Sequence, residues 1–263
     1  MRCLNMLGAA VIALTAMSAS ADDYGLANAS PFGGPWALAG AGSSPLSGSL
    51  IFQAGTQSGF RYNPQANAPL PGGYTAANTI AFTNCVFAGS FTSATLDNFT
   101  FGIRQLAGAP SVDFRVFLGA MDTDGNLVQS SVTDLGTASV GAVSASATTL
   151  VSFNAGGATI AMTDLVGSGN PGFSGFFVGL RFEGANATNN SNGWRITNAP
   201  AVGAAFNYFA AYDPTTAISG NWEFTAPTPS YFYLNVEGTL VPAPGAVALL
   251  GLAGLAGSRR RRG

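Results

Sequence analysis

The chain has 263 residues, with ten arginines against 12 acidic residues and neither lysine nor histidine. Without histidine there is no Ser-His-Asp or Cys-His catalysis and no common zinc site, and without lysine no Schiff base or Ser-Lys dyad. Four of the arginines sit in the last five residues; a body without either terminus keeps five arginines against the 12 acids, a net charge of about −7 that makes nucleic acid an unsuitable partner.

In chain order, Arg2 supplies a positive start, Leu7 to Ala16 an apolar run broken only by Thr15, and Ala19-Ser20-Ala21 a small-x-small cleavage site. These features predict a secretory signal peptide over residues 1–21, cut after Ala21 and too short to be a membrane anchor. Cys3 leaves with it, so Cys85 is the single cysteine of the body and no internal disulfide can form. Residues 22–240 read as one domain. Its first part, 22–73, is rich in Gly, Pro and Ser, and is expected to be irregular apart from extended pieces such as Leu50 to Gln53.

From there the clearest patterns have period two, the signature of half-buried strands. Phe99, Phe101 and Ile103 alternate with smaller or polar neighbours. Val112, Phe114, Val116 and Leu118 repeat the pattern, as do Phe176, Val178, Leu180 and Phe182, and then Phe232, Leu234 and Val236. Weaker strands are expected over Thr79 to Phe87, Leu127 to Val132, Thr148 to Phe153, Thr159 to Met162, Trp194 to Thr197 and Ala205 to Tyr212. No amphipathic helix competes with them. About ten short strands between Gly/Asn/Pro-rich turns predict an all-β fold, an antiparallel β-sandwich of jelly-roll type, each strand with one face inward and one to solvent.

Candidate chemistry is sparse. Asp122, Asp124 and Asn126, around Gly125, could converge on calcium, although Gly falls at the fourth position and Thr133 stands where an EF-hand places Glu; a hairpin turn explains the same residues. Glu183, Glu223 and Asp213 lie near aromatic residues as glycosidase carboxylates do, or are isolated acids at strand ends. Trp194, Tyr212, Trp222 and Tyr231 are candidates for packing against sugar rings, with core or strand-face positions as the alternative. Arg104, Asp113, Arg115 and Arg181 fall on outward faces, where cross-strand ion pairs are ordinary. Cys85 reads as a small buried residue.

The chain closes with Val241-Pro242-Ala243-Pro244, an apolar run of 13 residues from Gly245 to Gly257, and Arg259, Arg260, Arg261 and Arg262. As a helix that run would be about 20 Å long against a hydrocarbon core of about 30 Å, so it predicts a short C-terminal helix and a marginal membrane span. The basic cluster would hold its end on the cytoplasmic side.

This tail resembles the PEP-CTERM sorting signal of Gram-negative bacteria, whose pattern is Val-Pro-Glu-Pro, a short apolar helix and an arginine cluster. Ala243 stands where the family pattern has Glu. The resemblance covers under a tenth of the chain and implies sorting, not activity. It implies an exosortase-type membrane protease as partner, transient insertion in the inner membrane, and a final place at the cell surface or outside the cell. The expected role is non-catalytic, structural or interactive, in the envelope or extracellular matrix; a module binding extracellular polysaccharide is the alternative, and a glycoside-active enzyme ranks third. No cofactor is expected beyond the calcium candidate.

Overall fold

The computed structural model describes residues 26–29, 38–42, 49–55, 57–63, 70, 74–75, 77–105, 112–140, 148–183, 192–224 and 231–245. The predicted signal peptide with Ala19 and Ala21, the apolar run after Gly245 and Arg259 to Arg262 lie outside them. In chain order the strands are β1 (Leu26–Ala29), β2 (Leu38–Gly42), β3 (Ser49–Ala54), β4 (Gln57–Tyr62), β5 (Ile80–Ala88) and β6 (Phe91–Gln105). They continue with β7 (Val112–Ala120), β8 (Thr133–Val140), β9 (Thr148–Ala161), β10 (Thr163–Asp164), β11 (Phe173–Phe182) and β12 (Asn192–Thr197). The last are β13 (Gly203–Phe206), β14 (Phe209–Asp213), β15 (Ile218–Phe224), β16 (Tyr231–Phe232) and β17 (Leu234–Pro242).

Two antiparallel sheets pack face to face. The larger runs β1-β15-β14-β5-β11-β7-β8, with β10 on β11 and the β13–β2 pair beside β5. The smaller runs β16-β12-β6-β17-β3, with β4 on β12 and β9 on β6. The expected antiparallel β-sandwich is therefore the observed architecture.

The Gly/Pro-rich stretch 22–73, expected to be irregular apart from extended pieces such as Leu50 to Gln53, supplies four strands, and that piece lies in β3. Each is made by its partner rather than by its own periodicity: β1 on β15, β2 on β13, β3 on β17 and β4 on β12. The strand expected at Leu127 to Val132 is also displaced. Leu127 forms a single bridge to Met121, a 3₁₀ turn follows at Gln129–Ser131, and the strand proper is β8.

Apolar alternation builds the core between the sheets. Phe99, Phe101 and Ile103 of β6, Leu234 and Val236 of β17, and Trp194 and Ile196 of β12 face Phe114 and Val116 of β7 and Phe176, Val178, Leu180 and Phe182 of β11. Fully burying a phenylalanine contributes about 2 to 3 kcal/mol relative to leaving it exposed.

The other face of the larger sheet is not open to solvent, contrary to the one-face expectation. Eight of the nine β5 residues are buried. Ile80, Phe82 and Val86 of β5 meet Phe117, Leu127, Leu165, Phe177, Phe206 and Tyr208 in a second, smaller core. Gly179 is part of this packing, since a Cβ there would stand 2.5 Å from the Phe82 ring. Within it Asn84 is buried, and its amide donates to the carbonyls of Phe206 (3.3 Å) and Tyr208 (2.6 Å) while its oxygen accepts the Phe206 N–H (2.6 Å). Asn84 thus replaces the ladder bonds missing where the expected single strand Ala205 to Tyr212 breaks into β13 and β14.

Candidate functional site

The acidic turn after β7 is built by its own backbone. Gly125 takes a left-handed φ of 88°, its N–H donates to the Asp122 carbonyl (3.1 Å), and the Asp122 N–H donates to the Asn126 carbonyl (2.9 Å). Asp122 Oδ1 accepts the N–H groups of Asp124 (2.9 Å) and Asn126 (2.8 Å). Asp124 is drawn aside: its carboxylate lies over Gly167, beside the Ser168 N–H bond to the Thr123 carbonyl (2.9 Å). One carboxylate oxygen of Asp122 thus serves the turn and the Asp124 carboxylate faces the neighbouring loop, the arrangement of the hairpin-turn alternative. Among the described residues no group of three or more acidic or cysteine side chains could hold a metal.

A small cleft of about 110 Å³ opens beside this turn. Asp122, Asn126, Leu127 and Gln129 form one wall, and Ala210, Ser219, Gly220 and Asn221 form the other. Gln129 Nε2 donates to Ser219 Oγ (2.6 Å) and Asn221 Nδ2 to Asn126 Oδ1 (2.8 Å), tying the turn to β15. Beneath the turn the Tyr208 hydroxyl donates to the Gly125 carbonyl. Burial, and secondarily the charge of Asp122, push the Tyr208 phenol well above its usual range. Gln129, Ser219 and Asn221 carry no sequence signal of a site, since amides and hydroxyls spaced among small residues look like any loop.

The three candidate glycosidase carboxylates are separated. Asp213 is fully buried at the end of β14. Its Oδ2 accepts the Thr75 N–H (2.6 Å) and hydroxyl (2.5 Å), and its Oδ1 accepts the Thr215 hydroxyl and N–H. Burial alone would raise its pKa, but the bonds from Thr215 and Thr75 outweigh it and bring the carboxyl down to about 2. Glu183, just beyond β11, accepts from Arg181 Nη2 (2.8 Å), whose guanidinium lies 5.6 Å from the centre of the Phe117 ring. The ladder pairs Ala211 with Gly220, which sets Glu223 five residue levels from Asp213, roughly 17 Å along the strands. On the ladder through β5 and β11, Glu183 lies further still from Glu223. Glu223 therefore flanks no common bond with either of the others, and Asp213 and Glu183, two strands apart, are each engaged by their own neighbours, Thr75 and Thr215 on one and Arg181 on the other.

The aromatic candidates for sugar packing are core residues. Trp194, 1% exposed, stacks on Phe232 (4.3 Å, 18°) and donates Nε1–H to the Tyr233 carbonyl (2.8 Å). Trp222 and Tyr231 belong to the core between the sheets, and Tyr212 packs half-buried against the second core. Trp194, Trp222 and Tyr231 form no exposed platform, which corrects their assignment to sugar contact in favour of the core alternative, while Tyr212 keeps part of its surface in solvent. Burial pushes the Tyr231 phenol up to about 12 and the Cys85 thiol well above its usual value, which leaves Cys85 a small hydrophobe in β5. Of the outward-facing charges, Arg115 Nε lies 3.0 Å from Asp134 across the β7–β8 ladder, and Asp113 accepts from Ser139 Oγ (2.6 Å).

The last strand carries Val241 and Pro242, the first residues of the expected sorting motif. The domain was expected to end at Leu240, yet β17 continues with Val241 opposite Ser93 and Pro242 opposite Phe91. The Val241 carbonyl accepts the Thr92 hydroxyl (3.3 Å), and the Ala243 N–H donates to the Ser90 carbonyl (2.9 Å). Pro242 is tolerated because it sits at the strand's end. Pro244 is exposed.

No family model matches the sequence, and no curated protein matches it. Among solved structures, the chain is similar to the cysteine protease and lectin-like domains of Cwp84, a surface layer associated protein of Clostridium difficile. The identity is 14% and the TM-score 0.36, over 60% of this chain and 31% of that one. The clostridial protease after propeptide cleavage gives 16% and 0.35, over 60% and 35%. The Gx strain of infectious bursal disease virus gives 16% and 0.28, over 76% and 42%. The chain thus spans less than half the length of each of these three, and TM-scores below 0.5 establish neither a shared fold nor a shared role.

Proposed function

We propose that this protein is exported and serves a non-catalytic, structural or interaction role at the cell surface or in the extracellular matrix, addressed there by its C-terminal signal. The observation that carries the reading is the continuity of β17 with Val241 and Pro242: the motif leaves the end of that strand directly, with Ala243 still bonded to Ser90. On this reading a signal peptide is removed after Ala21, the apolar run holds the body briefly at the inner membrane, and an exosortase-type protease acts beyond the folded sheet. Among the described residues no helix is long and apolar enough to cross a membrane; the apolar run lies beyond them. The acids described above support the non-catalytic part, since Asp213, Glu183 and Asp122 each hold local structure.

Polysaccharide binding is the second reading, and the cleft between the acidic turn and β15 favours it. Asp122, Asn126, Gln129, Ser219 and Asn221 offer donors and acceptors there, in place of the buried aromatics.

The test is cell fractionation of the intact chain against one ended after Ala243, which keeps β17 whole. The intact chain should be found shortened at its C-terminus and in the surface or extracellular fraction, while the truncated chain should bypass the membrane stage. If both mature and partition alike, the sorting reading is lost.

A further inference from the structure

The cleft beside the acidic turn is short of donors for its oxygens. Gln129 Nε2 and Asn221 Nδ2 are committed to closing the wall, through Ser219 Oγ and Asn126 Oδ1. Among the described residues nothing donates to Gln129 Oε1, to Asn221 Oδ1 or to Asp122 Oδ2, since both N–H groups received by Asp122 go to its Oδ1. Asn221 is 3% exposed and lies on the cleft wall, so its oxygen is a nearly buried acceptor that an occupant of the cleft would satisfy.

The surroundings add charge and an aromatic ring. Ser219, Asn221 and Glu223 alternate along the outer face of β15, which sets Glu223 about 7 Å along the strand from Asn221, and among the described residues no ion pair or hydrogen bond engages its side chain. The arginines described on this face, Arg115 and Arg181, stand on β7 and β11, three or more strands away, and are engaged by Asp134 and Glu183. Tyr212 sits opposite Ser219 across the β14–β15 ladder, on the same face and partly in solvent. At about 110 Å³ the cleft is well below the roughly 300 Å³ of a pocket that encloses a small molecule, and it admits only a group projecting from a larger one.

We propose that this cleft takes the protonated amine of an amino-sugar unit, with the sugar ring lying against Tyr212. The inference rests on the polysaccharide reading of the same cleft and makes its ligand specific. An ammonium group carries three N–H donors and no acceptor, which matches the oxygens of Asp122, Gln129 and Asn221 and the negative charge of Asp122 and Glu223. A neutral hydroxyl brings a single donor and leaves the other oxygens bare. A calcium ion takes about six to eight oxygens, whereas the cleft supplies one carboxylate oxygen with two amide oxygens beside it. A lysine side chain has the same ammonium but no ring for Tyr212 to cover.

Isothermal titration of the full chain in mild detergent with oligomers of glucosamine, N-acetylglucosamine and glucose should show the glucosamine oligomer bound about tenfold or more tightly than either neutral one. Asp122→Asn keeps the acceptor that holds the turn, and Gln129→Met lies at an exposed position; each should cut that preference about fivefold or more with the melting temperature unchanged. Glu237→Gln removes the same unit of charge from the smaller sheet and should leave the preference as it is. A preference unchanged in Asp122→Asn and Gln129→Met overturns the proposal. So does one lost equally in Glu237→Gln, which reduces it to attraction toward an acidic surface, or a lysine oligomer bound as tightly as the glucosamine one. If neutral and amine oligomers bind alike and Gln129→Met weakens both, the amine assignment fails while polysaccharide binding at the cleft stands. If no oligomer binds, both readings fall.

Discussion

The larger sheet is buried on both faces along β5 and β11, whereas the smaller sheet keeps the outer face of β9 and β17 in solvent. The two were made from the same small-residue vocabulary, so composition does not separate them. What differs is what crosses their outer faces. The 121–132 turn and the loop before β11 lie over the larger sheet and bring Leu127 and Leu165 down onto it, where Phe206 and Tyr208 from the β13–β14 line meet them. Its polar groups are then forced into fixed roles: Asn84 completes a broken ladder and Tyr208 braces the acidic turn. On the smaller sheet, outer-face residues such as Ser152 and Thr159 have no such duty.

This contrast can be broken by substitution. Phe177→Ala, in the second core, should cost about 4 kcal/mol, as much as an equivalent change between the sheets. A urea titration giving under about 1 kcal/mol would show the second core to be mere covering. Asn84→Ala removes the bonds to the Phe206 N–H and to the Phe206 and Tyr208 carbonyls and should cost about 3 kcal/mol in the same assay. If it is neutral, the β13–β14 break does not depend on that amide.

Asp213 sharpens the comparison through pH. Its folded carboxyl sits at about 2, below its ordinary value of 3.8. Its stabilisation is therefore fully present above pH 4 and is lost as pH falls through 2, an effect on the order of 2 kcal/mol. In Asp213→Asn, thermal melts between pH 2 and 5 should lose that part of the slope; an unchanged slope would mean that other acids govern acid unfolding. The smallest effect is expected at Ala217, which holds φ 54° in the β14–β15 turn. Ala217→Gly should raise stability by about 0.5 kcal/mol or leave it level, and a clear fall in melting temperature would contradict the left-handed assignment.

How much of this was readable from the chain follows from side-chain contrast. Phe176, Val178, Leu180 and Phe182 alternate with residues different enough to announce a strand and its inward face. In β8 and β15, runs such as Thr-Asp-Leu-Gly-Thr and Ser-Gly-Asn have little amplitude, and only the partner strand defines them. Periodicity also could not reveal that Phe177, opposite Phe176 in facing, has a second core to enter. Trp194 and Trp222 lie among Asn, Gly and charged neighbours and look superficial in sequence; the sheets enclose them because residues far along the chain cover them. The cleft was invisible for a related reason, since its two walls are about 90 residues apart: Gln129 meets Ser219 only after folding.

The placement of β17 has a mechanical consequence. Leu234 to Gly238 lies between β6 and β3, hydrogen-bonded to both, and the strand then continues along β6 to Pro242. A tail held in a membrane would pull on this strand lengthwise, along its own axis. Its ladder bonds stand across that direction and would be loaded together in shear rather than opened singly from one end. Tension from such a tail would thus be taken up by the smaller sheet through β6 and β3, leaving the acidic turn and cleft on the far side of the sandwich outside the path of the load.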